Sequence, residues 1–196
     1  KVDDGSYVRF SYDAGSASWT AYDKSGNRYS FGQAPMSRQD NPADAAQVLK
    51  WCLDRVADAN GNYLTISYLK DQGQIYPAEI LYTSHPNVAA TNAIQFVLEP
   101  RDPLMSDRLG FAVTTRFKVS EIQARVSGTL AWKYVLEYRS STFTRRALLK
   151  TVRRFGEGGA GELPPIELTY TPGEGGWGTG QDALYRFLPP WTWIGP

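Results

Sequence analysis

The alternation of apolar and polar side chains over residues 48–86, VLKWCLDRVADANGNYLTISYLKDQGQIYPAEILYTSHP, limits what this chain can fold into more than any other feature. Leu49, Trp51 and Leu53 alternate with Lys50, Cys52 and Asp54, the period of a half-buried strand. Leu64, Ile66 and Tyr68 repeat the pattern against Tyr63, Thr65 and Ser67. A third run, Tyr76, Ala78, Ile80 and Tyr82, stops at His85-Pro86-Asn87. Two turns separate the runs. In residues 57–61, Asn60-Gly61 supplies the positive-φ positions of a type I′ or related hairpin turn, and residues 70–74 (KDQGQ) form the second. The stretch predicts three strands, and a meander of this size needs further strands or a covering layer to be stable.

The rest of the chain provides strands. Residues 7–12 (YVRFSY) predict a first strand, and SWTAY and RYSF flank a five-residue loop, Asp23 to Asn27. That loop and Asp58 to Asn62 both read Asp-x-x-Gly-Asn, 35 residues apart, a two-copy repeat of one hairpin unit. Residues 32–46 break the pattern and predict a loop with one helical turn, Asn41 as its cap and Pro42 at its first position. Residues 92–98 predict a strand, 99–110 (EPRDPLMSDRLG) a loop, and 111–126 a strand whose phase slips near Ser120, the mark of a bulge. Trp132, Tyr134, Leu136 and Tyr138 alternate with Lys133, Val135 and Glu137. Residues 146–155, 164–170 and 183–188 complete the set, with glycine-rich turns at 156–161 and 171–180. The expected fold is all-β, a mostly antiparallel meander of about ten short strands with hairpin turns, as a sandwich or as part of a larger β-shell. Residues 1–172 are expected to form this β domain and 173–196 a Gly/Pro/Trp-rich C-terminal segment.

Few reaction chemistries fit these residues. Cys52 is the only cysteine, so no internal disulfide or cysteine-based zinc site exists, and it reads as a small strand residue. His85 is the only histidine and sits in a turn-like SHPN stretch, with no nucleophile elbow in the chain. The Gly156 to Gly161 segment spells G-x-G-x-x-G, but Pro164-Pro165 follow instead of a phosphate-binding helix. Asp58, Asn60 and Asn62 have the spacing that opens a calcium loop, yet the twelfth position is Leu69, and a hairpin turn is the reading adopted. A net charge of +1 argues against a dedicated nucleic-acid binder, and no apolar run approaches a membrane helix. The one basic cluster is Arg145-Arg146, Lys150 and Arg153-Arg154. On a strand, Arg146, Lys150 and Arg154 share a face, read as solvated or as charge protecting an edge. Trp51 and Trp132 are expected in the core with Trp19, whereas Trp177, Trp191 and Trp193 lie in Gly/Pro-rich surroundings. No catalytic, cofactor-binding or metal residues are assigned and no cofactor is expected.

WCLDRVADANGNYLTISY resembles the tryptophan, aspartate and Gly-Asn pattern of the SpvB-type domain of Salmonella virulence-plasmid B proteins and Tc insecticidal toxin B components. More loosely it is similar to Rhs YD-repeat shell proteins. SWTAYDKSGNRYSFG, YPAEILYT, AIQFVLEPRDP, WKYVLEY, ALLKTVRRFG and ELPPIELTY follow in the family's order, so the resemblance runs over about residues 18–172. It implies a structural module of a large secreted bacterial toxin. In Tc toxins the B and C components form a hollow β-shell around a toxic polypeptide, and in the virulence protein a similar domain precedes an ADP-ribosyltransferase. The implied partners are the remaining domains of the same toxin and other toxin-complex subunits, with no nucleic acid and no direct membrane insertion. No Glu-x-Glu of an ADP-ribosyltransferase occurs, and no catalytic residue carries over. The chain starts at Lys1 and is expected to be part of something longer. A β-sandwich carbohydrate-binding module, or an enzyme with unrecognised acids, are the alternatives.

Overall fold

The computed structural model describes residues 7–108, 110–141, 144 and 146–170. The expected strand at 183–188, Arg145, the C-terminal segment and its three tryptophans lie outside the described residues. The described residues contain thirteen strands: β1 Arg9–Asp13, β2 Ser18–Tyr22, β3 Arg28–Phe31, β4 Arg38–Asn41, β5 Asp44–Trp51, β6 Leu53–Ala57, β7 Tyr63–Asp71, β8 Gln74–Ser84, β9 Asn92–Ser106, β10 Val113–Val126, β11 Thr129–Ser140, β12 Ala147–Phe155 and β13 Ile166–Glu167. Helical structure among the described residues is confined to single 3₁₀ turns at Pro35–Ser37 and Glu157–Gly159. Eleven strands form one antiparallel sheet in the order β1-β2-β3-β6-β7-β8-β9-β10-β11-β12-β13, and β4 and β5 form a separate two-stranded sheet. The all-β antiparallel meander is as expected. The large sheet is open, with β1 and β13 at its edges.

Several expectations need correction. The run from Leu49 to Asp54 is two strands in two sheets. The chain breaks at Cys52, whose N–H bonds to Ser37 O at 2.8 Å and whose carbonyl accepts from Gly32 N at 2.9 Å. Alternation continues through such a break, so periodicity alone does not reveal it. Asn41-Pro42 does not start a helix. Asn41 pairs with Asp44 across a two-residue hairpin loop, and its Oδ1 accepts from Ala43 N at 3.0 Å. Residues 99–106 are not a loop but the second half of the fifteen-residue β9. Pro100 and Pro103 suggested otherwise. The register against β10 jumps from Thr115–Leu104 to Phe117–Pro100, so Pro103 falls within an irregularity and Pro100 borders it, and neither interrupts a regular ladder. Pro77 likewise pairs beside a register shift in β8. Strands β7 to β12 are nine to fifteen residues long, not short. The strand predicted over 164–170 shrinks to Ile166–Glu167, and Pro164-Pro165 before it cannot donate to a ladder.

The phase slip near Ser120 is a bulge: Val119 pairs with Leu98 and Glu121 with Val97, leaving Ser120 over. Type I′-like turns, with φ positive at both central residues, lie at Gln72-Gly73 (47° and 76°) and Ser127-Gly128 (48° and 82°), not at Asn60-Gly61. Only Gly61 has positive φ in the latter, at 90°.

The sheet is mostly one layer thick. The buried apolar residues among the described ones are Ala21, Tyr76, Val113 and Ala124. Trp51 and Trp132, expected in a core, are half-buried. The largest buried apolar residues among the described ones, Tyr76 and Val113, lie where the β7–β8 tip meets the β4–β5 hairpin and the start of β10. There the Gln39 amide donates to Gly73 O at 2.8 Å and Thr114 N to Gln72 O at 2.9 Å.

This packing separates two glycines of similar backbone. A Cβ on Gly73 would stand 2.7 Å from the Ala112 carbonyl oxygen, whereas one on Gly128 meets nothing within 4 Å. Gly128→Ala is expected to cost about 1–2 kcal/mol, the strain of a side chain at positive φ. Gly73→Ala should cost roughly 1–3 kcal/mol more through the backbone clash. Urea denaturation of both variants checks the order.

Candidate functional site

Strand register gives the sheet two unlike faces. Ile66 pairs with Ile80, Ile80 with Ile94, Ile94 with Ala124 and Ala124 with Trp132, one apolar row across five strands. Two residues along, Phe96, Ile122, Tyr134 and Arg154 form a parallel row. The positions between them carry polar groups: Ser67, Glu79, Gln95, Gln123 and Lys133. Their side chains are bonded in series. Gln95 donates to Glu79 at 2.9 Å, Arg125 to Gln95 and to Gln123 at 2.8 Å each, Gln123 to Glu121 at 2.7 Å, and Lys133 to Glu121 at 2.9 Å. The amide and ammonium donors beside Glu121 hold its carboxyl below the usual range, Lys133 foremost. One face is therefore a hydrogen-bonded polar ladder, and the other is mostly aliphatic and aromatic, without a second layer over it among the described residues.

The twin Asp-x-x-Gly-Asn loops have the same geometry. In each, the glycine N–H returns to the aspartate carbonyl, Gly26 at 3.1 Å and Gly61 at 3.3 Å, and the aspartate N–H bonds to the asparagine carbonyl. The Asp58 carboxylate accepts from Asn60 N (2.9 Å), Asn62 N (2.8 Å) and Asn62 Nδ2 (2.7 Å). Asp23 accepts from Ser25 N, Asn27 N and Asn27 Nδ2, and also from the Tyr29 hydroxyl at 3.0 Å. These donors pull both carboxyls below their ordinary pKa, led by the Asn27 and Asn62 side chains. Their oxygens are occupied by the turn, which is the hairpin reading of the 58–62 spacing. The described residues contain no group of three ligands suited to a metal ion.

The other singled-out residues are dispersed. Burial pushes the Cys52 thiol up, opposite to a reactive thiolate. His85 is half-buried, bridges to Val88 and places Nε2 against Gly61, so it packs a turn and is not free on the surface. The Gly156 to Gly161 segment is a loop closed by a Phe155–Glu162 bridge. Lys150 falls at a register shift of β12, so alternation does not run unbroken from Arg146 to Arg154. Arg154 instead lies over the Trp132 and Tyr134 rings at 5.8 and 5.9 Å, and Arg153 pairs with Glu162 at 2.6 Å. Trp51 stacks edge-on with Trp19 and Tyr12, and its indole N–H donates to Ala17 O at 2.8 Å. A shallow groove of about 530 Å³ lies at the Ser120 bulge between Lys118, Glu99 and Tyr138, with Lys118 paired to Glu99 at 3.1 Å.

Sequence reading missed the polar clasp at the β7–β8 tip. Lys70 pairs with the buried Asp40 at 2.5 Å, and Arg116 grips Asp71 at 2.6 and 2.8 Å. The irregular pairing at Arg116 frees its N–H, which donates to the Tyr76 hydroxyl at 2.9 Å. Asp54, in the Trp-Cys-Leu-Asp motif, is buried and accepts from Ser37 Oγ (2.6 Å) and Ala34 N (3.0 Å). Nearby Tyr68 donates to Leu53 O at 2.6 Å. Its pKa is pushed up to about 12 by burial, then by Cys52 and Asp54. The only sequence signal was the motif itself. Pairs such as Asp71–Arg116, 45 residues apart, leave none.

The residues that carry Trp51, Asp54 and the two Gly-Asn turns fall in the part of the chain that resembles a known family. Residues 6–98 match the SpvB family, described as Salmonella virulence plasmid 65kDa B protein. The matched segment ends within β9, and for the later strands the likeness is one of fold. The N-terminal domain of effector protein SpvB from Salmonella typhimurium strain LT2 superposes with a TM-score of 0.67 at 16% identity, covering 79% of this chain and 67% of that one. The Photorhabdus luminescens Tc holotoxin pore gives 0.72 at 19%, and the TcdB2-TccC3 structure 0.70 at 18%; each covers 84% of this chain. The SpvB-like chain spans 11% of the length of those two Tc chains. No curated protein matches it in sequence. Among the described residues no helix is long and apolar enough to cross a membrane.

The carboxylate turns set an acid response. Because the folded pKa values of Asp23 and Asp58 are depressed, their contribution is present above the unfolded value of about 4 and is lost as pH falls through the folded values. Asp58→Ala is expected to lower Tm by roughly 2–4 °C at neutral pH, with the gap to the parent closing at acid pH. Calcium should leave both melting curves unchanged. A calcium-dependent rise in Tm that Asp58→Ala abolishes would contradict the turn assignment.

Proposed function

We propose that this chain is a non-catalytic structural module of a large secreted bacterial toxin, one arc of a β-sheet carrier that holds or delivers a separate toxic domain. The observation that carries the reading is the two-faced open sheet: a polar ladder on one side, largely apolar rows on the other, and few buried apolar side chains among the described residues. A sheet of that kind gains stability when its apolar face is turned from water by further β-structure. The SpvB match and the fold shared with Tc holotoxin and TcdB2-TccC3 structures support the same assignment. Its partners are then the remaining domains of the same protein and other toxin subunits, outside the producing cell. It needs no nucleic acid and does not itself insert into a membrane.

The dispersal of Cys52, His85 and the carboxylates into turns and ion pairs supports a role without catalysis. Among the described tryptophans, which a carbohydrate-binding module would use as sugar platforms, Trp19 and Trp51 pack against each other and Trp132 against Tyr134. That packing favours a structural use. The purified chain is expected to show no NAD-glycohydrolase, ADP-ribosyltransferase, protease or glycosidase turnover. The whole toxin lacking residues 18–172 is expected to fail in assembly and delivery. Turnover by the isolated chain, or delivery that survives the deletion, would sink the proposal.

A further inference from the structure

The two edges of the large sheet are guarded differently. At one end β13 is two residues long and follows Pro164-Pro165, which cannot donate to an added strand. At the other end all five residues of β1 are exposed, and it pairs only with β2 among the described residues. It contains no proline, and its ladder with β2 shows no register shift. Its aromatic side chains remain exposed, Phe10 at 62% and Tyr12 at 46% with one side against Trp19. Unprotected edges that carry aromatic side chains invite strand addition.

We propose that β1 pairs with β1 of a second copy of this chain, joining two sheets edge to edge. The sequence Arg9-Phe10-Ser11-Tyr12-Asp13 is complementary to itself when run antiparallel about Ser11. Arg9 then faces Asp13 of the second copy, Phe10 faces Tyr12, and Ser11 faces Ser11. By the two-fold symmetry each charge pair and each aromatic pair occurs twice. Opposite charges and aromatic pairs directly across a ladder are favourable, and like charges there are unfavourable. The Arg9 guanidinium already lies 5.4 Å from the centre of the Tyr22 ring, its partner position on β2, which holds the side chain along the strand end. Five residues a side make a small interface, so the association is weak, in the range of transient contacts. The pairing concerns the β1 edge alone and stands whether or not the chain is part of a carrier shell.

Sedimentation equilibrium of the full chain across a wide concentration range is expected to show a monomer–dimer equilibrium. Arg9→Glu places two acid–acid pairs across the interface, and Asp13→Lys two base–base pairs. Each is expected to raise the dissociation constant by about tenfold or more. Mixing the two variants restores opposite charges at both positions, Glu with Lys and Asp with Arg, and should recover a heterodimer. Asp13 also accepts from Gly15 N and Ser16 Oγ in the β1–β2 turn, so Asp13→Lys can unsettle that turn. Phe10→Thr, which leaves the turn intact, is therefore measured beside it and should weaken the dimer. A chain that stays monomeric throughout overturns the proposal. So does a dimer indifferent to Arg9→Glu and Phe10→Thr, or one that ignores the charge-swapped mixture despite folded variants.

Discussion

The clasp at the β7–β8 tip is what turns a ribbon of strands into a defined shape. There the chain brings together Asp40, Lys70, Asp71, Arg116 and Gln39 around Tyr76 and Val113, its largest buried apolar side chains among the described residues. A partly buried pair such as Lys70–Asp40 is poor as a source of net stability, because desolvation of Asp40 offsets much of the attraction. Its value lies in selection. Removing one partner strands a charge, so only the arrangement that satisfies Asp40 is tolerated. The Tyr76 hydroxyl acts similarly on the irregular pairing at Arg116, giving its N–H an acceptor that the β9 ladder does not supply.

Outside the clasp, stability comes from cross-strand neighbours rather than from an interior. The apolar row from Ile66 to Trp132 and the ladder from Glu79 to Lys133 lie on opposite faces of the same strands, and each supports the other by fixing register. A one-residue slip would send Ile94 to the polar side and Gln95 to the apolar side. The hydrogen-bonded chain through Gln95, Arg125 and Gln123 makes that exchange costly. The bulge at Ser120 is the exception, and Glu121 beyond it still meets Lys133.

Much of this was legible. Hairpins with local pairing, Ser18–Tyr22 with Arg28–Phe31 above all, follow from alternation and turn residues. Even the Ser120 bulge showed as a phase slip. What stayed hidden shares one physical cause: partners distant in sequence. Cys52 divides two sheets because its backbone bonds to Gly32 and Ser37. Residues 99–106 extend as strand because residues 113–117 supply a template, despite two prolines. The half-burial of Trp51 and Trp132 also escaped the pattern. Alternation says which side chains share a face, but not whether anything covers that face. For the same reason the face of Arg154 was read as solvated, although its guanidinium lies over two aromatic rings.

The sequential strand order has a mechanical meaning. Successive strands of the large sheet lie side by side from β1 to β13, so the two ends of the meander sit at opposite margins. Tension applied across those margins pulls perpendicular to the strands and meets ladder bonds in succession, as a zipper does, instead of loading many in shear at once. Such a sheet yields at low force and lets go strand by strand. The resistance it does offer is concentrated where Arg116 crosses to Asp71 and Gln39 to Gly73, since those bonds bypass the strand order. The clasp is therefore the point at which peeling from either margin would pause.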